Sequence, residues 1–445
     1  MPSLTQRIQR LFTTTEGLLL VVTGWEALAV AFLSLFSGPL AAWGVPARLG
    51  LALDPAGRVG RIIMLYHALA VPFVAALVYL MLDALPFDER TPRLVRPAIT
   101  AGYFLASGGA IAFAYFRAGW IAHGLFLVGL SLVFYAGAVL AWGLFPWRSD
   151  LEEGFSWERL AFWLVAVYTL ASAAIGGATG AYFGNGFTAF LAEDVVREPH
   201  SLGQRAIIAH LHIMLTLVDV ALLLLVARRF RVGGWVYRAA MPLTVVGTSI
   251  VTFATWSVMV AEKIAHRIIN VGSALLLPGA LLVAAWGFVQ LAREGGSRGR
   301  LWAAFRDPLR FGMLFELVFV NFVVTGPGVY VAFNLETYRQ PAYLEVERAI
   351  AVGHWHVLAT LSAVVALFLV ADRLGVRGAL RQVLGWGVLA GSTVAFVFIQ
   401  FYLFRAPGQD VAWTVPFFEA GIALFLVVLA VWLGERVWRV LKGEM

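Results

Sequence analysis

The stretch Ala209-His-Leu-His-Ile-Met-Leu-Thr-Leu217 places two histidines inside an otherwise apolar run that extends from about residue 205 to 227. A run of that length and greasiness is long enough to cross the hydrocarbon core of a bilayer, which takes about 20 residues of helix. Reading outward in both directions, eleven further runs meet the same demand. The twelve lie at 17–43, 61–86, 97–116, 119–146, 157–184, 205–227, 236–261, 264–292, 311–333, 348–372, 382–404 and 413–434. No gap between them has room for a separate soluble domain. The expectation is therefore an all-α integral membrane protein, a single transmembrane domain over residues 1–445. The longest loop, 185–204, still carries Phe187, Phe190 and Leu191.

Composition agrees and narrows the chemistry. Of the 445 residues 61% are apolar and 13% charged, more apolar surface than a soluble chain of this size can hide. There is no cysteine, which removes disulfides, thiolate zinc sites, iron–sulfur clusters and covalently attached c-type haem. The net charge of +7 is spread among loops, which argues against nucleic acid as a partner. With the N-terminus inside, cytoplasmic segments hold 22 of the 33 Lys plus Arg. That excess predicts both termini on the cytoplasmic side of the plasma membrane. The even-numbered runs then all travel from outside to inside. His67, His123, His210, His212, His266, His354 and His356 fall in the outer third of the membrane, and His200 in the external loop.

The chain also repeats itself. Gly353-His-Trp-His-Val-Leu-Ala-Thr-Leu361 in the tenth run matches the opening stretch at an offset of 144 residues, and Tyr66-His-Ala-Leu in the second lies 143 before it. Independently, Ile121-Ala-His-Gly-Leu-Phe-Leu-Val-Gly129 matches Ile264-Ala-His-Arg-Ile-Ile-Asn-Val-Gly272, again at 143, and the twelfth run has Trp413 near the expected histidine. Three four-helix units follow, at roughly 17–146, 157–292 and 311–434.

Two residues along a helix is a rotation of about 200°, so the imidazoles of a His-x-His pair point to opposite sides and cannot share one metal. Neutral imidazole is a good axial ligand for haem iron. A helix carrying such a pair suits a place between two haems. Glu26, Asp219, Glu316 and Glu419 also fall inside the runs, where a carboxyl group acts either as a proton relay or as a paired structural group. Gly326-Pro327-Gly328 is expected to break the ninth helix or to let a flat group approach it closely, and Gly176 and Gly177 to let helices pack closely.

In these features the sequence resembles subunit I of the haem–copper oxidase superfamily, which includes the nitric oxide reductases. The resemblance implies twelve helices in a pseudo-threefold array. It implies that His67 and His356 hold a six-coordinate low-spin haem, that His354 holds a second haem, and that His210 or His212 matches the ligand of a non-haem metal. It gives Arg405 a contact to haem propionates. The departures matter as much. The seventh run, 235–256, lacks the histidine pair that completes the family's non-haem site, and the positions four residues after His210 and His212 are Met214 and Thr216. Copper is therefore not expected. Carrying the arrangement round the repeat pairs His212 with His354 and joins His210 to Leu69, which cannot bind iron, so two haem b groups are expected and His210 is left over. The expected function is electron transfer between the quinone/quinol pool and an outer-face redox protein or subunit. The alternatives are an oxygen- or nitric oxide-reducing enzyme with an atypical metal site, and a haem-free transporter.

Overall fold

The computed structural model describes residues 3–37, 39–51, 60–116, 118–147, 155–191, 201–294, 300–338 and 340–443. His200 lies outside the described residues. Eleven of the helices are long and apolar enough to cross a membrane. One of them, Gly234–Arg293, has 60 residues, and at about 1.5 Å per residue it would be roughly three times the thickness of a hydrocarbon core. Ala261 interrupts it with non-helical torsions (φ −139°, ψ 61°). The two halves return on each other: an added Cβ on Gly247 would meet Gly272 and Leu276, and one on Gly279 would meet Ala240 and Thr244. It is a hairpin of two spans. The protein is an all-α integral membrane protein of twelve spans: α1 Thr15–Ser37, α2 Arg61–Ala84, α3 Arg90–Ile111, α4 Trp120–Leu144, α5 Trp157–Phe183, α6 Leu202–Arg229, α7 and α8 within Gly234–Arg293, α9 beginning at Pro308, α10 Leu344–Arg373, α11 Gly378–Leu403 and α12 Val415–Lys442.

Most spans run a few residues past their apolar stretch into charged sequence. The last turns of a helix are continued by Arg and Lys without cost once they reach headgroups and water. Asp307 and Ser156 cap α9 and α5, their side chains accepting from the backbone N–H of Arg310 and Arg159. The first span differs from its sequence reading: α1 ends at Ser37, and the residues to 43 include the short turn Pro39–Ala42 instead of more of the span. Proline at the first position of that turn starts a new helix more readily than it continues an old one. Before α1 stands a helix that the hydropathy runs did not mark, Leu4–Thr13. Its Arg7 donates to the Leu441 carbonyl, and its Ile8 and Phe12 are about half exposed.

By backbone contacts the chain divides into two units. One comprises Arg10–Val218 with Thr252–Ala265; the other comprises Met1–Gln9, Asp219–Val251 and His266–Met445. In lipid there is no hydrophobic gain from bringing helices together, so close backbone approach at small residues does the work. In the first unit, a Cβ added to Gly129 of α4 would sit 2.2 Å from the Ala106 nitrogen of α3, and one on Gly102 would meet the Gly129 carbonyl at 3.0 Å. In the second unit the same crossing occurs twice. A Cβ on Gly272 would lie 2.9 Å from the Val251 nitrogen, and one on Gly421 of α12 would lie 2.6 Å from the Ala395 nitrogen of α11. In each crossing the clash on the earlier helix is four residues past a second glycine, Gly102, Gly247 or Gly391. These glycines recur at the spacing of the histidine repeat.

One end of the second unit is tied by charge. Arg381 of α11 bridges Asp307 at the head of α9 and Asp372 at the tail of α10, with N–O distances of 2.9 and 2.7 Å, and Arg229 of α6 reaches the other oxygen of Asp372 at 2.6 Å. Shared, partly buried carboxylates of this kind hold helix ends in register more firmly than isolated surface pairs.

Candidate histidine sites

The first unit holds His67 on α2, His123 on α4, and His210 and His212 on α6. The ring of His67 lies nearly parallel to that of His210, with centroids 6.4 Å apart and planes 19° apart, and edge-on to Phe126. His67 Nδ1 is 2.8 Å from the Ile63 carbonyl one turn back on its own helix, and His212 Nδ1 is 3.1 Å from that of Ile208. A carbonyl can only accept, so the ring nitrogen facing it carries the proton. The neutral imidazole then presents the lone pair of Nε2, the state in which histidine binds iron.

His210 is held differently. It leans across to α5, where Nδ1 lies 2.9 Å from the Ser172 carbonyl and 3.2 Å from its hydroxyl. The ring covers Gly176, where a Cβ would come within 2.7 Å of it. Glycine is needed there because the imidazole occupies the space of a side chain. Sequence reading gave Gly176 to helix packing in general; what packs on it is a histidine.

The second unit holds His266 on α8, and His354 and His356 on α10. His356 is exposed within the chain, and its Nδ1 is 2.7 Å from the Val352 carbonyl, the same one-turn-back bond as at His67. His354 packs on Gly328 of the ninth span, where a Cβ would lie 2.9 Å from its Cε1. The ninth span reaches that contact through a widened π turn, Asn321–Thr325, followed by a regular stretch Gly326–Phe333. Pro327 has no N–H and its ring crowds the carbonyl four residues back; widening the preceding turn relieves the clash without ending the helix. The Gly-Pro-Gly segment therefore does not break the span, and the flat group that approaches it is an imidazole.

Arg405 follows α11 and folds onto Tyr402, its guanidinium 4.4 Å from the ring centroid and Nη1 2.8 Å from the Tyr402 carbonyl. The carboxyl groups separate into kinds. Asp219 of α6 accepts from Ser362 of α10, and Glu316 accepts from Ser392 at 2.7 Å. Glu26 has one oxygen buried with no partner among the described residues, and Glu419 is exposed on α12. Among the described residues no three His, Asp or Glu side chains converge to hold a metal ion between them. Axial haem ligation makes a smaller demand, one imidazole on a face of the iron.

Two groupings were not legible in the sequence. His123 is buried, its Nδ1 without a partner among the described residues, and Phe113, Trp120, Phe126, Phe187 and Phe190 surround it at ring distances of 5.3–6.4 Å. Ser172 had no mark in the sequence beyond lying one turn before Gly176. No family model and no curated protein matches this sequence.

Proposed function

We propose that this protein is a membrane-embedded b-type cytochrome on a scaffold like that of the haem–copper oxidases, passing electrons between the quinol pool and a redox protein or subunit at the outer face. The observation that carries this reading is the shared state of three histidines on three spans. His67, His212 and His356 each give the Nδ1 proton to the carbonyl one turn back, so that Nε2 is the free nitrogen. That donor chemistry fits haem iron. His67, His212, His354 and His356 are the residues that would hold it, and haem so held supplies reversible one-electron chemistry. His210 is kept out of the set by its bonds to Ser172. The helix carbonyls fix the tautomer and ring direction of each ligand and raise its basicity. Burial among apolar spans keeps water from the imidazoles. The excess of Arg and Lys in alternate loops supports a plasma-membrane location with both termini in the cytoplasm.

The test is a pyridine haemochrome assay with metal analysis on the purified full chain. Two haem b per chain and no stoichiometric copper are expected. His356→Ala should lose one low-spin signal, while the helical content stays unchanged. A protein without haem bands would overturn the reading in favour of a transporter.

A further inference from the structure

Where α11 ends and α12 begins, Gln400, Phe401, Phe404, Gln409, Val411 and Trp413 enclose a cavity of about 340 Å³, within the size range of small-molecule sites. The carboxamide of Gln400 lines it with both Oε1 and Nε2 buried and without a hydrogen-bond partner among the described residues. Native proteins satisfy buried polar groups almost without exception, and a donor and an acceptor on one side chain left open together require a partner from outside the chain. Gln409 is engaged with the turn, its Oε1 accepting from the Ala406 N–H at 2.9 Å. None of the lining residues is charged, so the partner is neutral. The walls are aromatic, with Phe401 and Trp413 rings 5.8 Å apart and each 52% exposed. Beside them Phe398 and Phe417 stack at 4.3 Å. Exposed aromatic rings on membrane spans face lipid and headgroups, so the cavity is entered from the bilayer.

We propose that this cavity binds the ring of a membrane quinone or quinol, with Gln400 as its polar partner. The inference rests on the electron-transfer reading above and locates its lipid-soluble partner. A quinone carbonyl accepts from the Gln400 N–H, and a quinol hydroxyl donates to its C=O. A carboxamide does not titrate, so both redox forms are held by one side chain without a change of charge. Phe401, Phe404 and Trp413 supply ring faces for a flat headgroup.

The experiment is titration of the detergent-purified full chain with decylubiquinone, followed by calorimetry and by quenching of tryptophan fluorescence, with haem measured on the same samples. The wild type should bind one equivalent saturably. Gln400→Leu should weaken binding about tenfold or more, the effect of removing one buried hydrogen-bonding group. Trp413→Ala should weaken it as well, and it decides the matter if the leucine variant does not fold. No saturable binding by the wild type would show that the cavity holds water or lipid tails and would overturn the proposal. So would equal binding by the wild type and both variants, which puts the quinone elsewhere. A haem-free protein that still binds quinone through Gln400 would sustain this site while overturning the cytochrome function.

Discussion

At the scale of single residues, the histidines are defined by what stands behind them. Gly328 exists as glycine because the His354 ring fills the place of its side chain, and Gly176 does the same for His210. Gly328→Ala should push the His354 imidazole by several tenths of an ångström and change the optical and paramagnetic signature of one haem. Gly177→Ala, where an added Cβ meets nothing within 4 Å, should leave both signals alone. Spectra of the two variants side by side check this, and equal spectra would mean that the His354 ring position is irrelevant to the cofactor. The His-x-His spacing, the polarity and the depth were all legible in the sequence, since each depends only on helix period and hydropathy. Which imidazole leans onto a neighbouring helix was not. His210 and His212 have nearly the same local sequence, and only the position of α5, with Ser172 one turn before Gly176, separates their roles.

At the scale of elements, the spans are joined where glycines let backbones touch. Gly129 on α4 meets the Ala106 backbone of α3, whereas Gly124 on the same helix has open space beside it. Gly129→Ala should therefore force α3 and α4 apart and destabilise the protein by about 1–3 kcal/mol, the usual cost of overpacking. Gly124→Ala should be neutral or stabilise by up to about 1 kcal/mol, because alanine is the better helix former. Thermal melts in one detergent would read both, and a melting point for Gly129→Ala at or above the wild type would contradict the crossing. The same reasoning applies to the α11–α12 crossing at Gly391 and Gly421. Span boundaries were readable from hydropathy to within a few residues. The π turn at Asn321–Thr325 was not, because a proline inside a helix can be met by a kink, a break or a wider turn, and the neighbours select among them.

For the whole molecule, twelve spans place both termini on one side of the membrane. Reporters fused after Met445 and inserted after Gly186 should show a cytoplasmic C-terminus and an external 185–204 loop. A periplasmic signal from the C-terminal fusion would reverse the side of every histidine. If both haems are held on both faces by histidine, carbon monoxide added to the dithionite-reduced protein should barely shift its spectrum. A stoichiometric complex would reveal an open iron and favour gas reduction over electron transfer.

Hydropathy and helix period, which are local, were enough for the sequence by itself to determine an all-α membrane protein of twelve spans. The 143–144 offset of the histidines also lay in the sequence, and the three glycine crossings recur near the same spacing. Tertiary structure alone decided what each small or polar residue is for. The 60-residue helix becomes a hairpin only because Gly247 and Gly272 face each other, and Ser172 and Gly176 become a seat only because His210 lies over them. Gln400 becomes an unsatisfied group only because the turn after α11 brings Val411 and Trp413 over it. These are relations between residues on different elements, set by which backbones can approach closely, and no pattern along a single chain segment encodes them.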